Sequence, residues 1–103
     1  MALICALFAS HVLAAPVWSG GVTVDYIDGA TSMTVYFVDA TPNPANCGQT
    51  LKTVSWEAGD AAAKNFMTMM LTAKVSGRQV KVLVDDTSCL WGGWPKLISM
   101  KLL

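Results

Sequence analysis

The sequence is poor in charge, histidine and cysteine, and each scarcity removes a class of chemistry. Charged side chains make up 14% of the 103 residues, seven basic and seven acidic, so the formal net charge is zero. Nucleic-acid binders need a basic stripe that displaces counterions from phosphates. Here Lys52, Lys64, Lys74, Arg78, Lys81, Lys96 and Lys101 are dispersed among acids. Neither a nucleic acid nor an anionic membrane is therefore expected as a partner. The single histidine is His11. Downstream of it there is no base for a Ser-His-Asp or Cys-His nucleophile and no imidazole to hold a metal. Glycine-rich phosphate loops of the Walker or dinucleotide type are missing, as is the Cys-x-x-Cys redox motif. Three cysteines, Cys5, Cys47 and Cys89, are too few for a structural zinc site. The expectation is a protein that is not an enzyme and carries no cofactor and no metal.

Long apolar runs are also missing after the N-terminus. Charges recur from Asp25 onward, so no later segment reaches the ~20 apolar residues of a spanning helix. The N-terminal run Leu3-Ile4-Cys5-Ala6-Leu7-Phe8-Ala9 is too short to span and is followed by the small residues of Val12-Leu13-Ala14-Ala15. That order fits the apolar region and cleavage site of a secretory signal. The expected leader is residues 1–15 and the expected single domain is 16–103, with Val12 and Ala14 in the small-residue positions ahead of the cut. A lysine or arginine before the apolar run, usual in such leaders, is lacking. The expected localisation is secreted or periplasmic. His11 and Cys5 leave with such a leader, and the two remaining cysteines, Cys47 and Cys89, are expected to pair. A domain this small has a thin core and gains from a covalent staple.

What remains is rich in strand patterns, and hydrophobic residues at 53% argue against disorder. Val22, Val24 and Tyr26 alternate with Thr23 and Asp25, which predicts a half-buried strand over 22–27. Asp28-Gly29 is a hairpin signal. Met33 to Val38 is apolar on both faces and reads as a central strand. Pro42 and Pro44 make 41–46 a loop. Leu51 to Trp56 predicts a third strand. A helix follows, with Asp60 as its expected N-cap, a buried stripe of Ala62, Phe66, Met69, Met70 and Ala73, and Gly77 at its left-handed C-terminus. Val80, Val82 and Val84 set the inner face of a strand over 78–85. Residues 86–94 are expected to form a loop carrying Cys89. The last strand covers 96–102, with Ile98, Met100 and Leu102 on one face.

The order strand, strand, strand, helix, strand, strand suits a small five-stranded Greek-key barrel of the OB-fold type, mainly β with one helix. The alternative is an open α+β sandwich with the helix on one sheet face.

Two indoles are the candidate ligand contacts. Trp91 and Trp94 flank Gly92-Gly93 beside Cys89. Indoles offer flat apolar faces with one N–H donor, which suit the C–H surface of a sugar ring. The competing reading is that Trp91 or Trp94 plugs the barrel end and packs on the disulfide. Trp18 and Trp56 read as core or subunit interface. Met67, Met69 and Met70 read as core filling, with one facing away to line a pore or contact. Asp85 and Asp86, as strand neighbours, point to opposite faces and read as a solvated strand end. Asp28 reads as the turn residue rather than a partner of Asp25.

Three segments carry a resemblance. Trp18-Ser19-Gly20, the helix with Phe66 and Ala73, and Ser76-Gly77-Arg78-Gln79-Val80-Lys81-Val82 resemble the B subunits of bacterial A–B toxins of the subtilase-cytotoxin and typhoid-toxin type. The resemblance implies an OB-fold, a homopentameric ring and binding of host glycans. This chain is shorter and has a different loop after the fourth strand. None of the family's glycan-contacting residues matches a position here. The functional expectation is an exported, non-enzymatic binding module, glycan-binding and oligomeric. A secreted structural or inhibitory domain that binds another protein is the alternative.

Overall fold

The structure is a computed structural model that describes residues 15–29, 32–48, 52–91 and 93–103. The expected leader, Ala15 apart, lies outside the described residues. Six strands and one helix follow in the order β1 (Val17–Trp18), β2 (Val22–Gly29), β3 (Ser32–Phe37), β4 (Thr53–Glu57), α1 (Ala63–Ser76), β5 (Gln79–Leu90) and β6 (Trp94–Leu102). The protein is mainly β, and its sheet closes on itself. β5 pairs with β2, β2 with β3, β3 with β4, β4 with β6, and β6 returns to β5. All pairings are antiparallel except β4 with β6, which are parallel through Ser55 and Lys96.

β1 and β2 form one kinked edge along β5. Val17 and Trp18 pair with Val84 and Leu83. The Ser19 N–H then donates to the Val82 carbonyl (2.8 Å), while the Ser19 hydroxyl accepts from the Val82 N–H (2.9 Å). After Gly20-Gly21 the pairing resumes with Val22 opposite Val80. A strand that gains a residue in this way bends and twists more strongly, which helps the sheet close.

Two further irregularities overturn expected faces. On β2 the register jumps between Val24 and Tyr26, so Asp25 is the extra residue. Val22 and Val24 are buried, but Tyr26 is exposed instead of sharing their face. On β6 the partners step from Ser99 to Leu97 as β5 steps from Leu83 to Val84. Ile98 is bulged out and exposed, and the buried residues become Pro95, Leu97 and Met100. A one-residue slip moves every following side chain to the other face of a sheet.

Three expected boundaries also move. Asp28 and Gly29 are paired strand residues, opposite Thr34 and Met33, and not the turn. Gly29 serves lateral packing: the Met33 methyl and sulfur lie 2.5 and 2.7 Å from where a Cβ would stand. β4 is Thr53–Glu57, and Leu51 of the expected strand lies outside the described residues. β5 runs on through the expected loop to Leu90. It carries four residues, Asp85 to Ser88, between the pairs Val84–Leu97 and Cys89–Pro95, where β6 has only Lys96.

The inward side chains of Val35, Val54, Val80, Val82, Val84 and Leu97 form the core with Trp56. α1 packs onto that core through Ala63, Phe66, Met70 and Ala73, with the Phe66 ring edge-on to Trp56 at 5.6 Å. Complete burial of side chains of this size contributes roughly 1.5–3 kcal/mol each. Asp60 does not cap the helix. Its Oδ1 accepts from the Ala62 N–H (3.0 Å) in a turn ahead of it, and α1 starts at Ala63 without a side-chain cap. Its C-terminus is closed by Gly77 at φ 70°, with the Arg78 N–H on the Ala73 carbonyl (3.0 Å). Met67 and Met69 both lean partly buried on the core, so neither faces away. Leu71 and Val75 are the exposed apolar residues of the helix.

The Cys47–Cys89 disulfide ties the loop after β3 to the bulged arm of β5. Such a bond points to a non-cytosolic compartment. No helix among the described residues is long and apolar enough to cross a membrane.

Candidate functional site

The β5–β6 hairpin tip carries both expected tryptophans. Trp91 is 49% exposed and sits at φ 48°, a left-handed conformation unusual for a bulky residue. Trp94 opens β6 directly opposite Leu90. It is half-buried, and its ring meets Tyr36 edge-on at 6.4 Å. Tyr36 in turn stacks on Tyr26 at 4.3 Å, with the planes 14° apart. Tyr26 and Tyr36 are cross-strand partners. Offset stacking and edge-to-face contact are the favourable arrangements of aromatic quadrupoles. The three rings thus form a row across the outer side of the sheet.

That row exists because of the bulge at Asp25. Without it, Tyr26 would share the inward face of Val22 and Val24. Its neighbours raise the Tyr36 pKa above the ordinary value. Burial is the largest cause, followed by the Tyr26 hydroxyl and the Asp28 carboxylate, both of which oppose a phenolate.

Beside the row lies a cleft of about 290 Å³ lined by Glu57, Gly59, Asp60, Leu90 and Lys96. Leu90 is the register partner of Trp94, and Lys96 follows Trp94 by two residues on β6. Residues two apart on a strand, and directly opposed residues of a pair, present the same face. Lys96 of the cleft and Trp94 of the row therefore share one face of β6. The turn after β4 brings Glu57 and Asp60 to the opposite wall, held by the Asp60 N–H on the Glu57 carbonyl (3.0 Å).

Asp85 is buried and not a solvated strand end. Its Oδ1 accepts from the Thr87 N–H (3.1 Å) and hydroxyl (3.0 Å), and its Oδ2 from the Ser88 hydroxyl (2.9 Å). Burial pushes the Asp85 carboxyl up. The bonds from Thr87 and Ser88, together with the Lys96 charge, outweigh that and hold it below its ordinary value. Asp85 thus closes the bulge from within. Asp86 has one buried oxygen with no partner among the described residues. Adjacent as they are, the two carboxylates do not converge on one point. Among the described residues no three His, Cys, Asp or Glu side chains come together as a metal site.

The other expected residues fall elsewhere. Trp18 is 39% exposed and carries the Lys101 ammonium over its ring at 4.7 Å. Trp56 is the buried centre of the core, its Nε1 without a partner among the described residues. Cys47 and Cys89 are paired. The sequence singled out Trp91 and Trp94 but not Tyr26 and Tyr36, whose rings join Trp94 in the row, nor Glu57, Asp60, Leu90 and Lys96, which line the cleft. The spacing Trp94-x-Lys96 was a signal for one of these. The rest depend on which strands become neighbours. No protein family, curated protein or solved structure matches this chain.

Proposed function

We propose that this chain is an exported, non-enzymatic binding module that takes a glycan on the Trp94–Tyr36–Tyr26 row, with Trp91 at its margin. The observation that carries the reading is the row itself. Three aromatic rings are held in fixed mutual geometry beside a polar cleft. Sugar rings present an apolar C–H face and a hydroxyl rim, so an indole with charged groups next to it answers both. We also read the closed sheet as an OB-type barrel. A five-strand ring closed by one parallel pair, with the helix between β4 and β5, supports this. It agrees with the architecture that the toxin B-subunit resemblance implies, and the disulfide agrees with export.

A second reading is favoured by one observation. Leu71 and Val75 are 48% and 86% exposed and lie one turn apart on α1. Apolar side chains so placed suit a protein partner, or further copies of the chain in the ring the resemblance implies.

The test is a glycan array with the mature protein made in a bacterial periplasm, alongside Trp94→Ala and Trp91→Ala. Retention of a glycan by the native protein and its loss in Trp94→Ala, with near-ultraviolet spectra and melting otherwise kept, is the expected result. Stacking of this kind is worth about 1 kcal/mol or more, hence roughly a fivefold to tenfold loss of affinity. The molar mass from light scattering on the same sample separates the readings further. A defined oligomer that Val75→Asp dissociates places α1 at a subunit contact. A monomer that binds no glycan directs the search to protein partners.

A further inference from the structure

We infer that the cleft beside Trp94 selects a neutral, hydroxyl-rich sugar and disfavours acidic ones, an assignment that rests on the glycan reading of that site. The argument is one of charge and volume. The lining contains two carboxylates, Glu57 and Asp60, and one cation, Lys96. Lys96 also lies near the ionised Asp85, so its charge is already opposed from the protein side. A carboxylated or sulfated sugar entering the cleft meets a surplus of negative charge. Like charges brought together at a binding surface oppose association strongly.

A neutral sugar meets the opposite situation. An ionised carboxylate only accepts hydrogen bonds, through two oxygens that together can take several donors. Neighbouring hydroxyls of a sugar are such donors. One Asp60 oxygen is occupied by the Ala62 N–H. Its second oxygen, like the Glu57 carboxylate, has no partner among the described residues. Glu57, at the end of β4, and Asp60, in the turn that follows it, are both exposed and reachable from solvent. Lys96 supplies donors to the sugar oxygens from the other wall. Bonds to charged groups are the stronger ones, and each satisfied bond adds discrimination. Leu90, at the cleft wall, and Trp94, across the strand pair from it, provide apolar surface for the C–H face. About 290 Å³ lies at the small end of ligand cavities. It suits one terminal monosaccharide, with further residues of the glycan running out along Tyr36 and Tyr26.

The test uses the mature, disulfide-bonded protein on an array that carries each neutral terminal sugar together with its sialylated, uronic and sulfated counterparts. Titration calorimetry on the best neutral ligand and its acid-capped form follows. The expected result is retention of neutral termini and a loss of about tenfold or more in affinity on acid capping. Glu57→Gln and Asp60→Asn each weaken the neutral ligand severalfold, and the double Glu57→Lys, Asp60→Lys variant shifts preference toward the acidic form. Circular dichroism on every variant checks the fold, and both side chains are exposed, Glu57 at the end of β4 and Asp60 in the turn after it. A preference of the native protein for sialylated or sulfated termini overturns the inference while leaving the glycan reading standing. Neutral binding that is indifferent to Glu57 and Asp60 does the same. Retention of no glycan of either kind overturns the glycan reading, and this inference with it.

Discussion

Asp85 shows how one side chain can hold an irregularity that no propensity encodes. Four residues of β5 must fit opposite one residue of β6, and the Asp85 carboxylate accepts three hydrogen bonds from inside that excursion. Replacing it with asparagine removes the charge and one acceptor oxygen while leaving the shape. The expected loss in urea unfolding at pH 7 is roughly 1–3 kcal/mol. Because the folded-state pKa is below the ordinary value of 3.8, the stabilisation is complete above that value and fades as pH falls through the folded pKa. The gap between native protein and Asp85→Asn should therefore narrow from about pH 5 down to the acid limit of folding. A gap as wide at the acid limit as at pH 7 would assign the loss to packing instead. At this scale the sequence was partly legible. Trp94 was singled out for its indole beside Gly92-Gly93, but as a loop residue, whereas it opens β6 opposite Leu90. Asp85 was not legible, because a carboxylate at the end of an alternating strand ordinarily faces water.

At the scale of elements, the types were legible and the faces were not. Val80, Val82 and Val84 alternate cleanly and are all buried. The helix was readable from Phe66, Met70 and Ala73, and its end from Gly77. Where β2 and β6 carry an extra residue, at Asp25 and Ile98, the alternation inverts, which put Tyr26 and Ile98 on the wrong side in the sequence reading. A bulge is fixed by what the partner strand presents, and that is not a local property. Gly77 offers a clean test of an element that was read correctly. It sits at φ 70° with nothing within 4 Å of a notional Cβ. Alanine there meets no clash, only the backbone strain of the left-handed region, about 1–2 kcal/mol. A smaller unfolded-state gain of about 0.4–1 kcal/mol opposes it. A net loss near 1 kcal/mol, seen as a melting point lower by roughly 4–8 °C, is the expected outcome. No change would mean that the helix end relaxes to another cap.

The whole molecule depends on closure, and closure has one narrow seam. β4 and β6 meet through the single parallel pair Ser55–Lys96, whereas β5 and β6 are paired along most of their length. The loop after β3 is fastened near that seam by the Thr41 hydroxyl on the Thr53 carbonyl (3.4 Å) and by Cys47 to Cys89, while Asn43 braces the loop internally against the Cys47 backbone (2.8 Å). The disulfide thus joins two segments 42 residues apart in sequence that a short core would hold only loosely. In the chain-entropy picture a bridge of that span contributes about 4 kcal/mol by restricting the unfolded chain. For a small domain whose total stability is about 5–15 kcal/mol, that is a large share. The double variant Cys47→Ser, Cys89→Ser should lose about 2–4 kcal/mol in denaturant unfolding. Its amide exchange should rise first in residues 41–48 and 85–90, and last in Val80 to Val84. The pairing was legible from the cysteine count once Cys5 was assigned to the expected leader. The seam was not, because nothing local in Ser55 or Lys96 says that their strands run parallel. If exchange instead rises uniformly, the bond acts on the unfolded state alone. Opening confined to the tip would show that it also fixes the hairpin carrying Trp91 and Trp94, and affinity for the proposed glycan should then fall with it.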